Sequence, residues 1–242
     1  MAERENWVIL GASGALGGAF VQAALARPAV GRVFAVSRRP INGGADARLC
    51  PLLCDLTEEA SIAAAFASIG AAGPVHRVII ATGRLHGEGL TPEKALRDLD
   101  AGRLARSFQV NAIGPALVIK HALPLLPRDE PAVIAALSAR VGSISDNRAG
   151  GWYGYRAAKA ALNMMIRTAA IEAARRWPLA AIVGLHPGTV ASALSQPFQA
   201  GVKPGHLFTP EESVERLTIV LDGLSPAQSG RVFAYDGQEI AP

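Results

Sequence analysis

Residues 7–18 read WVILGASGALGG, four apolar residues followed by a turn with glycine at positions 11, 14, 17 and 18. The run Trp7–Leu10 is short and stopped by glycine, as a buried strand would be. The alanine-rich stretch Gly14–Ala26 behind it reads as a helix that ends before Arg27-Pro28. A glycine-rich turn between a strand and a helix is the setting in which this pattern becomes a phosphate site. The first amides of a helix lack partners inside it, and the helix dipole favours an anion there. Missing Cβ atoms let backbone approach ligand and helix approach strand. Gly11, Ser13, Gly14, Ala15, Leu16 and Gly17 are therefore candidate residues for binding a pyrophosphate.

Working outward, apolar runs and helical stretches alternate. Strands are expected at Arg32–Ser37, Leu49–Cys54, Val75–Ala81, Val133–Leu137, Ala180–Leu185 and Arg231–Tyr235. Between them lie a helix capped by Thr57 and running to Ile69, and a short helix opened by Thr91-Pro92. A long helix follows over Leu104–Leu126, bent near Pro115, and another over Trp152–Arg176. The last helix starts at Thr209-Pro210, with threonine as cap and proline at its first position. Such alternation predicts right-handed β-α-β units in an α/β, doubly wound domain of Rossmann type. Its mostly parallel sheet would have about seven strands and helices on both faces. One domain over residues 1–242 is expected, with 187–208 as a substrate-binding loop.

Strand two ends in Ser37-Arg38-Arg39, and no carboxylate occurs between Glu5 and Asp46. A carboxylate near that point would hold the ribose 2′-hydroxyl of NAD, whereas arginine accommodates the 2′-phosphate of NADP. The cofactor expected is NADP (NADPH). Asp55, followed by Leu56 after strand three, is a candidate acceptor for the adenine amino group, or a helix cap.

Composition narrows the alternatives. Half of the 242 residues are apolar and the net charge is only +4. The arginines are scattered without basic runs, which argues against nucleic acid as a partner. Cys50 and Cys54 lack metal-ligand spacing and read as reduced strand thiols; no metal is expected. The five histidines show no ligand spacing and read as solvated, capped or core residues. A charged start running straight into a strand, and no long uncharged apolar run, predict a cytoplasmic protein without signal peptide or membrane span.

Tyr155 and Lys159 form a Tyr-x-x-x-Lys pair at the start of an alanine-rich helix. Residues four apart share a helix face. An ammonium there favours the phenolate, so such a tyrosine can exchange a proton with a hydroxyl or carbonyl near neutral pH.

Together these segments resemble the short-chain dehydrogenase/reductase family, and within it the branch of the C-factor and Sniffer-type carbonyl reductases. The matching segments are GASGALGG, Cys54-Asp55-Leu56, Val110-Asn111-Ala112, LSARVGS, Tyr155-Arg-Ala-Ala-Lys159, His186-Pro187-Gly188-Thr189-Val190 and Tyr235-Asp236-Gly237, in the family's order. The resemblance implies an NADP-dependent oxidoreductase acting on a small carbonyl or alcohol. Tyr155 would be the general acid, and Lys159 would hold the nicotinamide ribose and depress the phenol's pKa. Asn111, by opening its helix, would hold a water linking Lys159 to solvent. Pro187, Gly188, Thr189 and Val190 would place the carboxamide, with Ser192 where the family often has threonine.

The sequence departs from the pattern in three places. Ala15 replaces the middle glycine of GxxxGxG. Ala81, Thr82 and Gly83 stand where the family has Asn-Ala-Gly, with Thr82 expected to tie the strand in place of asparagine. The usual second serine is Ala139, so either Ser138 or Ser143 would bind the carbonyl oxygen; Ser138, directly after the strand, is favoured. Leu194, Pro197, Phe198, Val202 and Leu207 suggest an apolar lid. A homodimer or homotetramer built on the two long helices is implied, their alanines (157, 158, 161, 169, 170) permitting close approach. The alternative is a C-factor-like signalling or nucleotide-sensing protein with little turnover; the complete Tyr, Lys and Asn set favours chemistry.

Overall fold

A computed structural model describes residues 4–41, 44–87 and 89–242. Seven strands form one sheet: β1 (Glu5–Leu10), β2 (Val30–Ser37), β3 (Leu49–Leu53), β4 (Arg77–Ile80), β5 (Ala132–Leu137), β6 (Ala180–His186) and, last in the chain, β9 (Val232–Ala234). Their order is β3-β2-β1-β4-β5-β6-β9, and each neighbouring pair is parallel. The helices are α1 (Ala15–Leu25), α2 (Glu59–Gly70), α3 (Ala101–Phe108), α4 (Gly114–Ala122), α5 (Tyr153–Ala173) and α6 (Pro210–Asp222).

Strand residues alternate between two cores because both faces of a parallel sheet are covered. Val8, Leu10, Phe34 and Val36 pack with Ile62 of α2, Val118 of α4 and Leu162 of α5. Trp7, Ile9, Val33 and Ala35 pack with Phe20 of α1 and Leu217 of α6 on the other side. Burying one such large side chain contributes about 1.5–3 kcal/mol.

The strand order reverses between β1 and β4. Ligands of open α/β sheets bind outside the strands' carboxyl ends at such a switch point. Gly11, Ala81, Ser138 and His186 all lie at those ends. Gly11 turns the chain with φ +82°, and Gly17 packs so tightly that an added Cβ would fall 2.0 Å from the Gly11 carbonyl oxygen.

Several local expectations give way. Thr57 does not cap α2: its hydroxyl and amide donate to Asp55, and the helix begins at Glu59. The segment after Thr91-Pro92 makes only a single 3₁₀ turn over Leu96–Asp98, because the Asp98 carboxylate draws in the Lys94 and Ala95 amides. The long helix is interrupted by a π turn over Gln109–Ile113, not bent by Pro115. Pro115 falls in the first turn of α4, where its missing N–H is tolerated. At the opposite end Thr209 caps α6 in a reciprocal box with Glu212, as expected. The last strand stops at Ala234, short of Tyr235.

Candidate active site

A cleft of about 590 Å³ runs along the carboxyl ends of β1, β4, β5 and β6. At one end are Gly14, Ala15 and Leu16. At the other are Tyr155, Ser138 and the segment 192–202, with Lys159 and Ala81–Gly83 between. Gly14 is the N-cap of α1 and has no side chain to accept from the helix's first amides. Those amides and the dipole behind them therefore face whatever enters.

Beyond the cleft, Arg38 and Arg39 are exposed at the end of β2, and the buried Ser37 hydroxyl donates to the Arg39 carbonyl at 2.5 Å. Asp46, the next carboxylate along the chain, is engaged 2.8 Å from Arg48. Asp55 is partly buried, which by itself would raise its pKa. Bonds from the Thr57 amide and hydroxyl, with the Arg38 charge, outweigh that and hold the carboxyl below its ordinary value. Gly11, Ser13, Gly17, Ser37, Arg38, Arg39, Asp55, Leu56 and Asn111 are not among the residues lining the cleft.

Tyr155 sits in the first turn of α5, and Lys159 one turn later is 2% exposed. The Lys159 ammonium donates to the Leu137 carbonyl at 2.7 Å and lies 5.6 Å from the centre of the Tyr155 ring. Gly142 lets the turn after β5 close on this helix, since an added Cβ would lie 2.8 Å from Lys159 Cβ. The expected depression of the phenol's pKa does not appear. Burial pushes Tyr155 up to about 12 and Lys159 down to about 7. Tyr155 keeps part of its surface open to the cleft, so its shift is the weaker of the two in effect.

Asn111 is fully buried in the π turn. Its Oδ1 accepts from the Arg84 amide at 2.9 Å and its Nδ2 donates to the Arg84 carbonyl at 2.8 Å. The side chain thus holds the segment after β4 that borders the cleft. Gly83 is where the groups meet: an added Cβ would lie 3.6 Å from Asn111 Oδ1, 3.8 Å from Lys159 Nζ and 4.0 Å from Leu194. Thr82 does not tie the strand, since its buried hydroxyl oxygen has no hydrogen-bond partner among the described residues.

The two candidate serines separate. Ser138 lines the cleft and donates to Asn163 Oδ1 at 2.6 Å. Ser143 is buried off the cleft and accepts from the Asp146 amide. Pro187, Gly188, Thr189, Val190 and Ser192 line the wall, as do Leu194, Phe198 and Val202; Pro197 and Leu207 do not. The segment is pinned by a small parallel pair, β7 (Thr189–Val190) with β8 (Leu207–Phe208), and carries a 3₁₀ stretch at Gln196–Gly201.

Trp152, His86 and His186 were not legible as site residues. Trp152 is left-handed with φ +52°, between Tyr155 and Phe198 at ring distances of 6.5 and 4.9 Å. Its amide donates to the carbonyl of buried Glu93, whose carboxylate accepts from the Gly154 amide. His86 reaches the Ala193 and Leu194 carbonyls. His186, expected to be solvated, capped or core, lines the cleft, while its buried Nδ1 has no hydrogen-bond partner among the described residues. Among the described residues no cluster of His, Cys, Asp or Glu is arranged to hold a metal ion, and no helix is long and apolar enough to cross a membrane.

The short chain dehydrogenase family profile matches residues 5–203. The chain is similar to C-signal of Myxococcus xanthus, 36% identical over 146 residues, 60% of this chain and 82% of that one. It is also 36% identical over 141 residues to the 1-hydroxy-2-glutathionyl-2-methyl-3-butene dehydrogenase of Rhodococcus sp. (strain AD45); that match covers 57% of this chain and only 58% of the relative. Among solved structures, the NADPH-bound carbonyl reductase from chicken fatty liver superposes with a TM-score of 0.88 at 25% identity, covering 99% of this chain and 100% of that one. The carbonyl reductase Sniffer of D. melanogaster superposes at 0.86 with 21% identity, over 99% and 100% of the two chains, a likeness of fold. With the profile over residues 5–203 and the glycine turn, Tyr155 and Lys159 joined by one cleft, this chain belongs to the short chain dehydrogenase family.

Proposed function

We propose that the protein is an NADPH-dependent carbonyl reductase, working reversibly on secondary alcohols. The observation that carries this is the single cleft joining the N-terminus of α1 to Tyr155 and Lys159. The residues present fit the nucleotide. Gly14 leaves the amides of α1 open to a pyrophosphate, Arg38 and Arg39 suit a 2′-phosphate, and the unpartnered Thr82 hydroxyl borders the cleft between. Asp55 and Leu56 would receive the adenine, and Pro187–Val190 the carboxamide. When bound, NADPH supplies the hydride.

This chain's own residues handle the proton. With its pKa raised, Tyr155 stays protonated through neutral pH, the form a general acid needs in reduction. It gives that proton to the carbonyl oxygen as the alcohol forms. Lys159 would bind the ribose hydroxyls, its Leu137 bond fixing where the ammonium stands. The π turn at Asn111 frees backbone groups from the regular ladder, which supports a water there linking Lys159 to solvent. Of the serines, Ser138 has the place for a substrate contact. Leu194, Phe198, Val202 and Trp152 form an apolar wall that excludes water from the reacting atoms.

A homo-oligomer is also proposed, on the outer side of α5. Ala158 and Ala170 are buried in the core, whereas Ala157 is exposed and shares a helix face with Met164 and Ile171, which are 67% and 53% exposed. The C-signal match supports a second reading, signalling with little turnover. NADPH consumption with aryl and alkyl ketones and aldehydes separates the two. Turnover by the parent that disappears in Tyr155→Phe supports the reductase; equal rates in both, or no turnover with any of these carbonyl compounds, sinks it.

A further inference from the structure

Tyr155 reaches the cleft from the first turn of α5, so the way that turn is held decides where its hydroxyl stands. The first amides of a helix have no partners inside it, and the side chain of the capping residue usually satisfies one of them. Here the capping residue is Trp152, whose side chain accepts nothing. The bond comes instead from Glu93, 61 residues away in the segment between β4 and α3. Its Oε2 accepts from the Gly154 amide at 3.1 Å, the place a capping oxygen would fill. Its main-chain carbonyl accepts from the Trp152 amide at 2.5 Å. One residue thus grips the turn on both sides of Tyr153. Glu93 is 4% exposed and does not itself line the cleft. A carboxylate at that spot complements the positive end of the helix dipole.

The turn so held is strained. Gly150, Gly151 and Trp152 are all left-handed, with φ of +64°, +64° and +52°. Glycine takes that conformation readily; a bulky tryptophan keeps it only where its surroundings impose it. Gly154 makes room for the cap, since an added Cβ would lie 3.0 Å from Glu93 Oε1 and 3.2 Å from Leu104 of α3. Two side chains from this turn line the cleft, Trp152 and Tyr155, their rings edge-on with centres 6.5 Å apart. Trp152 in turn rests against Phe198 at 4.9 Å. A shift of the turn therefore moves the proton donor and the apolar wall together. The donor must stay within hydrogen-bond reach of the oxygen it serves, and a misplacement of about 1 Å can cost about 100-fold in rate.

We propose that Glu93 is a positioning residue for the reduction: by capping α5 from a distant segment, it fixes where the Tyr155 hydroxyl and the Trp152 indole stand in the cleft. This rests on the carbonyl-reductase reading. Glu93 touches neither substrate nor nucleotide and exchanges no proton; it acts through the two amides that it holds.

Glu93→Met keeps most of the buried volume and removes the side-chain acceptor. With acetophenone and para-nitrobenzaldehyde its kcat should fall at least about tenfold, while NADPH affinity by calorimetry stays close to the parent. Glu93→Gln still offers an oxygen to Gly154 and should remain within about fivefold of the parent, losing only the charge's share at the helix end. In the nucleotide-free protein the emission of Trp152, read against Trp152→Phe, should shift in Glu93→Met and not in Glu93→Gln. Parent-like kcat and emission in Glu93→Met, with only a lower melting temperature, overturn the inference, since the cap would then serve stability alone. So does an equal loss of kcat in the two variants, or a loss of NADPH affinity in step with kcat. Should Glu93→Met fail to fold, Gly154→Ala takes its place: helices favour alanine over glycine, but this methyl intrudes on the carboxylate, and an unchanged kcat there refutes the inference. If the parent reduces neither compound, the reductase reading falls by itself, and the emission of Trp152 still judges the cap.

Discussion

Around Gly14 the cleft is walled by main chain, and around Tyr155 by side chains drawn from separate segments. At the first end, the turn holds its shape because Gly11 and Gly17 touch with no Cβ between them. At the second, α5 brings Tyr155 and Lys159, the π turn brings Asn111, and the 192–202 segment brings Leu194 and Phe198. The two ends should fail in opposite ways. One tolerates the loss of side chains but not the addition of a methyl; the other depends on single functional groups and gives up chemistry before stability.

The sharpest test is Tyr155→Phe, which removes one oxygen. Its kcat should fall by ~10²–10⁴, the usual worth of a positioned acid, with NADPH affinity and melting temperature close to the parent. Tyr153→Phe, two residues away on the same helix, should stay active. An equal loss in both variants would mean the helix end and not the hydroxyl matters.

Gly17→Ala at the other end should do the reverse. Its Cβ would lie 2.0 Å from a backbone oxygen, so the turn or α1 must move. Overpacking of this kind costs about 1–3 kcal/mol. That corresponds to several degrees of melting temperature, at ~2–4 °C per kcal/mol for a domain of this size. Unchanged thermal stability would show that the turn is not the rigid wall described.

Arg38→Asp probes whether the main-chain end selects its nucleotide through one side chain. NADPH should bind at least about tenfold more weakly, as expected when a charged bond worth about 1.5–3 kcal/mol is lost, with NADH gaining in preference. Asp55→Ala should weaken both alike. Calorimetry that finds the parent preferring NADH would remove the NADP reading.

The smallest effect, and the least intuitive, concerns Lys159→Met in the nucleotide-free protein. The folded pKa of about 7 lies below the ordinary lysine value, so the buried charge costs stability. That penalty is full below about pH 7 and vanishes above about pH 10, where the unfolded chain is also neutral. The substitution should therefore raise the melting temperature by a few degrees at pH 6–7, the gain fading toward pH 10, while activity is lost. A variant less stable than the parent at neutral pH would mean the Leu137 bond outweighs the buried charge.

Much of the main-chain end was readable because glycine spacing behind an apolar run is a local property. The strand alternation likewise implied a parallel sheet, and the Thr209-Pro210-Glu-Glu start of α6 is local chemistry. What escaped was set by distant packing. The bend expected at Pro115 was misplaced, since the helix opens instead at Asn111, where the family resemblance put it. The i to i+4 spacing put Lys159 beside Tyr155 but carried no information about burial, which decides both pKa values. Thr57 looked like a cap until Asp55 was seen to capture it. Trp152 joined the site only because Phe198, far along the chain, folds back over it.

That last arrangement gives the protein a built-in optical reporter. It has three tryptophans. Trp7 is buried with Arg27 and Arg77 over its ring, and Trp177 is buried with Arg128 and Arg176 over its own. Trp152 alone of the three lines the cleft, next to Tyr155 and the 196–201 segment. A change in intrinsic fluorescence on filling the cleft should come from this indole, and Trp152→Phe would leave only the steady emission of Trp7 and Trp177, from which occupancy could no longer be read.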